Sequence, residues 1–140
     1  MAAPDKPDPL EQTLRDLARF RYALRKFLRF SERAAREAGV TPQQHQLMLG
    51  IAGFTGASSA TISDLAEFLQ EKHHSVVGLV ERAEQKGLVR RGPDKVDGRV
   101  TRVTLTRQGR SILTGLTELH KQEVERIRSG MLGAHSESER

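Results

Sequence analysis

The fold is decided by residues 72–106, which read KHHSVVGLVERAEQKGLVRRGPDKVDGRVTRVTLT. Four apolar residues at the start have the spacing of one helix face: Val76, Leu79, Val80 and Ala83. Gly87 follows as a helix stop, and the apolar period then changes from 3.6 to 2. Residues 88–91 and 100–105 are predicted strands, joined by a turn-forming segment at 92–98. The stretch therefore predicts a helix followed by a β-hairpin.

Two shorter helices are predicted before this stretch. The second helix of the chain begins at residues 41–44, where TPQQ has the pattern of a capping box with Pro at the first helical position. A loop is expected at residues 53–59, and a third helix of about two turns starts at Thr61. Helix, short helix, helix and hairpin form a winged helix-turn-helix over residues 41–106. In this arrangement the last helix enters the major groove of DNA and the hairpin contacts the backbone or the minor groove.

Long helices are predicted on both sides of this domain, over residues 10–38 and 107–130. In the first, apolar residues fill one arc and arginines the other, and its length of ~43 Å exceeds the width of a small domain. Part of the apolar arc must face something outside the core, and a second copy of the chain is the simplest candidate. We expect a mainly α fold: a winged helix-turn-helix with long terminal dimerisation helices and a two-stranded β wing.

Composition excludes several classes of protein. The chain of 140 residues contains no Cys, so disulfides, thiol nucleophiles and Cys-ligated zinc are excluded. Residues 1–9 are expected to be a disordered lead without a signal peptide, and residues 131–140 a short polar tail. No apolar run is long enough to span a bilayer, so the cytoplasm is the expected location.

Positive charge is concentrated late in the chain. Residues 71–110 contain ten Lys and Arg against five Asp and Glu, an excess equal to the net charge of +5 for the whole chain. The predicted recognition helix and hairpin lie within this segment, so it is the part that would meet a polyanion.

The segment from residue 41 to residue 109 resembles the MarR (multiple-antibiotic-resistance regulator) family of bacterial transcription regulators. The residues that carry the resemblance are TPQQ (41–44), LAEFL (65–69), SVVGLVER (75–82), KGLVRR (86–91), DGR (97–99) and LTRQG (105–109). The last two, which have the form D-x-R and L-T-x-x-G, are the most specific. The long flanking helices also fit those that the family uses for dimerisation.

The resemblance implies a homodimer that binds a pseudo-palindromic operator in double-stranded DNA. It implies that Arg99 reaches the minor groove with help from Asp97, and that three wing residues contact phosphates: Arg90, Arg91 and Lys95. On the recognition helix, the matching positions are Lys72, His73, His74, Ser75, Val77, Gly78 and Arg82. By the same analogy, a small-molecule effector binds between the first, second and fifth helices and the winged-helix lobe, and its binding residues are not identified. The regulator is expected to be a repressor without cofactor or catalytic activity.

Three positions depart from the family pattern. Lys72 is a poor N-cap, Val77 offers only apolar contact, and Gly78 adds no side chain in mid-helix. Direct readout then falls mainly to residues 73–75. A sixth long helix, common in the family, is truncated.

Other functions are less well supported by the residues. Adjacent His73 and His74 point ~100° apart on a helix, so a metal site is not expected, and His45 and His120 are interpreted as packing or pocket residues. The sequence has no nucleophile elbow or phosphate-binding loop, so we do not expect an enzyme. The basic amphipathic stretch at 17–30 favours a dimerisation helix over a membrane-surface helix. A non-catalytic winged-helix module for protein interaction remains the alternative.

Overall fold

The computed structural model describes residues 8–138, and side chains within it for residues 8–130. The elements in chain order are α1 (Pro9–Glu37), α2 (Pro42–Gly53), β1 (Ser59–Thr61), α3 (Ile62–Leu69), α4 (His73–Gln85), β2 (Val89–Pro93), β3 (Thr101–Leu105) and α5 (Arg107–Ser138). The mainly helical winged-helix fold expected from the sequence is therefore confirmed.

Local signals set the helix starts. Thr41 accepts a hydrogen bond from the Gln44 N–H, and the Gln44 side chain returns one from the Thr41 N–H, both at 3.0 Å. Thr61 and Asp64 form the same reciprocal pair at the start of α3. Lys72 precedes α4 without a side-chain cap, in agreement with its low capping preference.

The sheet differs from the prediction, because it has three strands in the order β1-β3-β2, all antiparallel. The sequence predicts a loop at 53–59, which includes the start of β1. Three residues are too few to show an alternating pattern, and β1 is stabilised by pairing Ala60 with Val103 of β3 rather than by its own propensity. The wing is thereby tied directly to the start of α3.

The ends of the chain also differ from the predicted boundaries. Asp8 caps α1 and Pro9 begins it, so the last two residues of the predicted lead belong to the helix; residues 1–7 lie outside the described part. The backbone of α5 is helical to Ser138, which covers most of the predicted polar tail at 131–140. Gly130 and Gly133 lower helix propensity there, but glycine alone costs only ~1 kcal/mol and does not end a long helix. Residues 139–140 lie outside the described range.

One core joins the winged helix to both long helices. Its fully buried large side chains are Leu47, Met48, Ile51, Leu65, Val76, Val80, Leu88, Val89, Val103 and Leu116. The buried core residues of α5 are Leu113 and Leu116, and those of α1 are Ala34 and Ala35. The four apolar residues of α4 that the sequence pattern selected are all buried. Within residues 8–138, no helix has both the length and the apolar character to traverse a membrane.

Thr106 and Gly109 join the sheet to α5. The Thr106 N–H donates to the Leu88 carbonyl at 3.0 Å, and its hydroxyl lies 2.6 Å from the Gly87 carbonyl oxygen and accepts from the Gly109 N–H. A Cβ added at position 109 would collide with the Leu88 backbone carbonyl. The L-T-x-x-G pattern is therefore a requirement of close backbone packing.

We predict that Gly109→Ala destabilises the protein by roughly 1–3 kcal/mol, since backbone atoms must move to admit the methyl group. Gly115→Ala, on the same helix with open space around its Cβ position, should be neutral or stabilising. Denaturant unfolding of both variants measures the difference. Equal stability of the two variants would contradict the close-packing argument.

A histidine pair packs between α1, α2 and α5. The rings of His45 and His120 are 4.8 Å apart, and Phe27 and Phe30 contact His120 edge-on. Nδ1 of His120 donates to the Leu116 carbonyl at 2.6 Å, so in the neutral ring Nε2 accepts from the Ser31 hydroxyl at 2.8 Å. Both histidines are packing residues, as the sequence indicated.

Stability should fall in mild acid because of His45. Burial, with a contribution from His120, lowers the pKa of His45 to about 4 from an ordinary value of 6.5. Between those values the unfolded chain binds the proton and the folded chain does not, so stability decreases as pH falls through this window. Because the pKa of His45 is lower in the folded chain, the free energy of unfolding should decrease by about 2 kcal/mol between pH 7.5 and pH 5.

Urea unfolding at fixed protein concentration checks this prediction. His45→Gln should flatten the dependence of the free energy of unfolding on pH, whatever the effect of the substitution on stability at neutral pH. His74→Gln removes an exposed histidine and should retain the wild-type slope. An unchanged slope in His45→Gln would contradict the assignment.

Candidate nucleic-acid interface

The first turn of α4 presents a cluster of polar side chains to solvent. Lys72, His73, His74 and Ser75 are all exposed, and the opposite side of the helix is anchored in the core through Val76 and its partners. The four predicted contact residues therefore share one accessible end of the helix, which is the geometry needed to reach base edges.

The next two predicted contacts have different surroundings. Val77 is half-buried and packs against the core, so only part of its side chain faces outward. A Cβ at Gly78 would meet only the tip of Arg82, at 3.3 Å, so no backbone crowds this position. The surface of α4 is therefore shallow at Gly78, which leaves room for another molecule to approach the helix backbone.

Two neighbouring arginines of β2 have different roles. Arg90 is exposed, whereas Arg91 is paired with α4. Its Nε and one terminal nitrogen donate to Glu84 Oε1 at 3.0 and 2.8 Å, and its backbone N–H donates to Glu84 Oε2. These hydrogen bonds from Arg91 lower the pKa of Glu84. Arg91 thus holds the hairpin against α4, a role that is not evident from the sequence. The predicted contact of Arg91 with a phosphate would have to form while the Arg91–Glu84 pair is kept.

The tip of the wing carries an exposed cation. Asp97 Oδ1 accepts from the Arg99 backbone N–H at 3.1 Å and from its Nε at 3.2 Å. The Arg99 side chain is nevertheless 90% exposed, so its terminal nitrogens face solvent. Lys95 is also exposed on the same loop. The arrangement aims a guanidinium outward from a fixed stem.

Asp94 and Arg102, which the sequence did not single out as a pair, hold this loop together. Asp94 accepts from Arg102 Nε on β3 and from the backbone N–H groups of Val96 and Asp97. The hydrogen bond from Arg102, followed by those from the two backbone groups, lowers the pKa of Asp94 to about 2. Aspartate early in a turn often accepts a hydrogen bond from the backbone two residues later. The position of Asp94 in the turn is therefore a sequence signal for this role.

A cavity of about 560 Å³ lies beside α4. Its walls come from α1, α2, the end of α3, the link between α3 and α4, and α4 itself. The part from α4 includes His74, Ser75 and Arg82. The resemblance to the family implies the fifth helix in the wall of an effector site. No residue of α5 lines this cavity among the side chains described; the nearest link is His120, which bonds to Ser31 of the cavity wall.

Comparison with family models matches residues 38–100 to the MarR family. The matched range contains α2 to α4, β2 and the wing loop with Asp97 and Arg99. The match to the MarR family covers 63 of the 140 residues. Comparison with curated protein sequences gives no significant match.

Solved structures of the MarR family share the fold. AbsC, a MarR family transcriptional regulator from Streptomyces coelicolor, superposes with a TM-score of 0.72 at 20% identity, covering 96% of this chain and 89% of AbsC. A mutant MarR from E. coli complexed with operator DNA gives 0.64 at 20% identity, with coverage of 88% and 84%. BpsR from Bordetella bronchiseptica, whose DNA binding is regulated by 6-hydroxynicotinic acid, gives 0.62 at 16% identity, with coverage of 90% and 99%.

Among the described side chains, residues 8–130, no three His, Asp or Glu converge in a way that could hold an ion. His73 and His74 both lie exposed on the first turn of α4.

Proposed function

We propose that this chain is a MarR-type transcription regulator of the cytoplasm that binds double-stranded operator DNA as a homodimer. It acts as a repressor and is released by a small-molecule effector. One observation carries the DNA-binding proposal: Arg99 is held by Asp97 at its backbone and Nε, yet keeps 90% of its side chain exposed at the wing tip. A fixed, accessible guanidinium is suited to phosphates and to a narrow minor groove.

Dimerisation is supported by apolar surface on the two long helices. Large apolar side chains of α1 and α5 remain exposed: Leu10, Leu14, Leu17, Phe20, Leu28, Leu119 and Val124. Soluble monomers rarely expose such contiguous apolar stripes. A symmetric pair of chains joined along these helices would present two copies of α4 to successive major grooves, 34–36 Å apart on a duplex.

The effector proposal is supported by the position of the cavity. Its volume of about 560 Å³ suits a small organic molecule. Its wall includes His74, Ser75 and Arg82, which are also predicted DNA contacts. A bound molecule would therefore act on the recognition helix directly, changing its position or side-chain conformations and lowering operator affinity.

Arg99→Ala should weaken retardation of DNA from the region upstream of the chain's own gene by roughly tenfold or more. Arg126→Ala is the matched control, because Arg126 is also exposed and paired with a nearby carboxylate, Glu123, but lies on α5. Affinity should also fall steeply with salt, and Arg99→Ala should reduce the slope by about one per subunit.

Two outcomes would contradict the DNA-binding proposal. One is equal affinity for Arg99→Ala and Arg126→Ala, and the other is a flat response to salt. Absence of retardation on any duplex at low salt would favour the alternative module for protein interaction.

Leu17→Glu should shift the dimer towards monomer by at least tenfold, because it buries an unpaired carboxylate in the proposed interface. Tyr22→Glu introduces the same charge at a position of similar exposure, about 140° away around α1, and should leave the dimer intact. Light scattering over a range of concentrations measures both. Dissociation by Tyr22→Glu alone would place the interface on the other face of α1.

A further inference from the structure

The wing loop has little apolar support. Val96, near its tip, is 96% exposed, so packing does not fix the loop. Two backbone hydrogen bonds close it: the Asp94 N–H donates to the Val100 carbonyl at 2.8 Å, and the Val100 N–H donates to the Asp97 carbonyl at 3.0 Å. The conformation of the loop must therefore depend on polar side chains.

Asp94 is the centre of these polar contacts. Oδ2 accepts from the N–H groups of Val96 and Asp97 at 3.0 and 2.9 Å, while Oδ1 accepts from Arg102 Nε at 2.5 Å. Only 16% of the Asp94 side chain is exposed, so solvent does not replace these partners. One carboxylate thus fixes the backbone on both sides of the turn.

Arg102 connects this turn to the helix-turn-helix. It lies on β3, and a terminal nitrogen donates to the Ser59 hydroxyl of β1 at 3.1 Å. β1 ends at Thr61, the residue that caps α3. The polar chain Ser59–Arg102–Asp94 therefore runs from the start of α3 to the wing loop.

The same chain continues to the exposed cation. Asp94 fixes the backbone of Asp97, and Asp97 in turn holds the backbone and Nε of Arg99. A free arginine side chain loses considerable rotamer freedom when it binds, and fixing its stem beforehand reduces that cost. We infer that Asp94 and Arg102 are positioning residues that orient Arg99 for the minor groove, an inference that rests on the proposed DNA-binding function.

A double-mutant cycle with Arg99 tests the inference. Asp94→Ala should weaken operator binding about five- to tenfold when Arg99 is present, and by less than twofold in the Arg99→Ala background. Asp94→Asn keeps an oxygen for the two backbone N–H groups but loses the charge opposite Arg102, so it should fall between Asp94→Ala and wild type.

Charge alone predicts the opposite sign. Asp94→Ala removes a negative charge beside a surface that binds a polyanion, which would tighten binding if position did not matter. Glu123→Ala is the matched control, since Glu123 is a similarly covered carboxylate, 12% exposed, paired with Arg126 on α5. It should leave DNA affinity within twofold of wild type.

The outcomes separate this inference from the proposed function. If wild type does not bind DNA, or Arg99→Ala binds as well as wild type, the proposed function fails first. Arg99→Ala could weaken binding while Asp94→Ala lowers DNA affinity by the same factor with Arg99 present and with Arg99→Ala. In that case Asp94 does not act through Arg99, and the inference is wrong. Unchanged or tighter binding by Asp94→Ala would also overturn it.

Discussion

The backbone around Leu88 is the point on which the architecture depends. Its carbonyl accepts from the Thr106 N–H, while Gly109 leaves no atom that would crowd it. Leu88 follows α4 and leads into β2, and Thr106 follows β3 and leads into α5. A single close backbone contact therefore closes the hairpin and orients the long C-terminal helix. The recognition helix, the wing and the proposed dimer helix all meet there.

Net charge alone does not show which arginines of the hairpin surface are accessible, because some of them form ion pairs with carboxylates. The late segment has an excess of basic residues, yet Arg91 and Arg102 are paired with Glu84 and Asp94. These two arginines stabilise the hairpin through their ion pairs. Arg90 and Arg99 remain accessible, and only Arg99 has its stem fixed by a neighbour. Of the arginines of the hairpin, Arg99 is thus the one that is both exposed and oriented. Its immediate sequence does not distinguish it from the others.

The parts predicted well from sequence are those that local physics determines. The predicted capping box at Thr41 and the predicted helix start at Thr61 both depend on side chains three residues apart, and the buried face of α4 follows from its 3.6-residue period. β1 was missed because its stability comes from pairing with β3, more than forty positions later. The roles of Arg91 and Asp94 were missed for the same reason, since their partners are known only once the hairpin is folded.

The walls of the cavity have a consequence for how such a protein can change. His74, Ser75 and Arg82 border the space for a small molecule and stand among the proposed contacts with DNA. If both proposals hold, a substitution that changes the preferred DNA sequence would therefore also alter the shape and polarity of the proposed effector site. The two proposed specificities share the same few side chains, so divergence in one should be accompanied by divergence in the other.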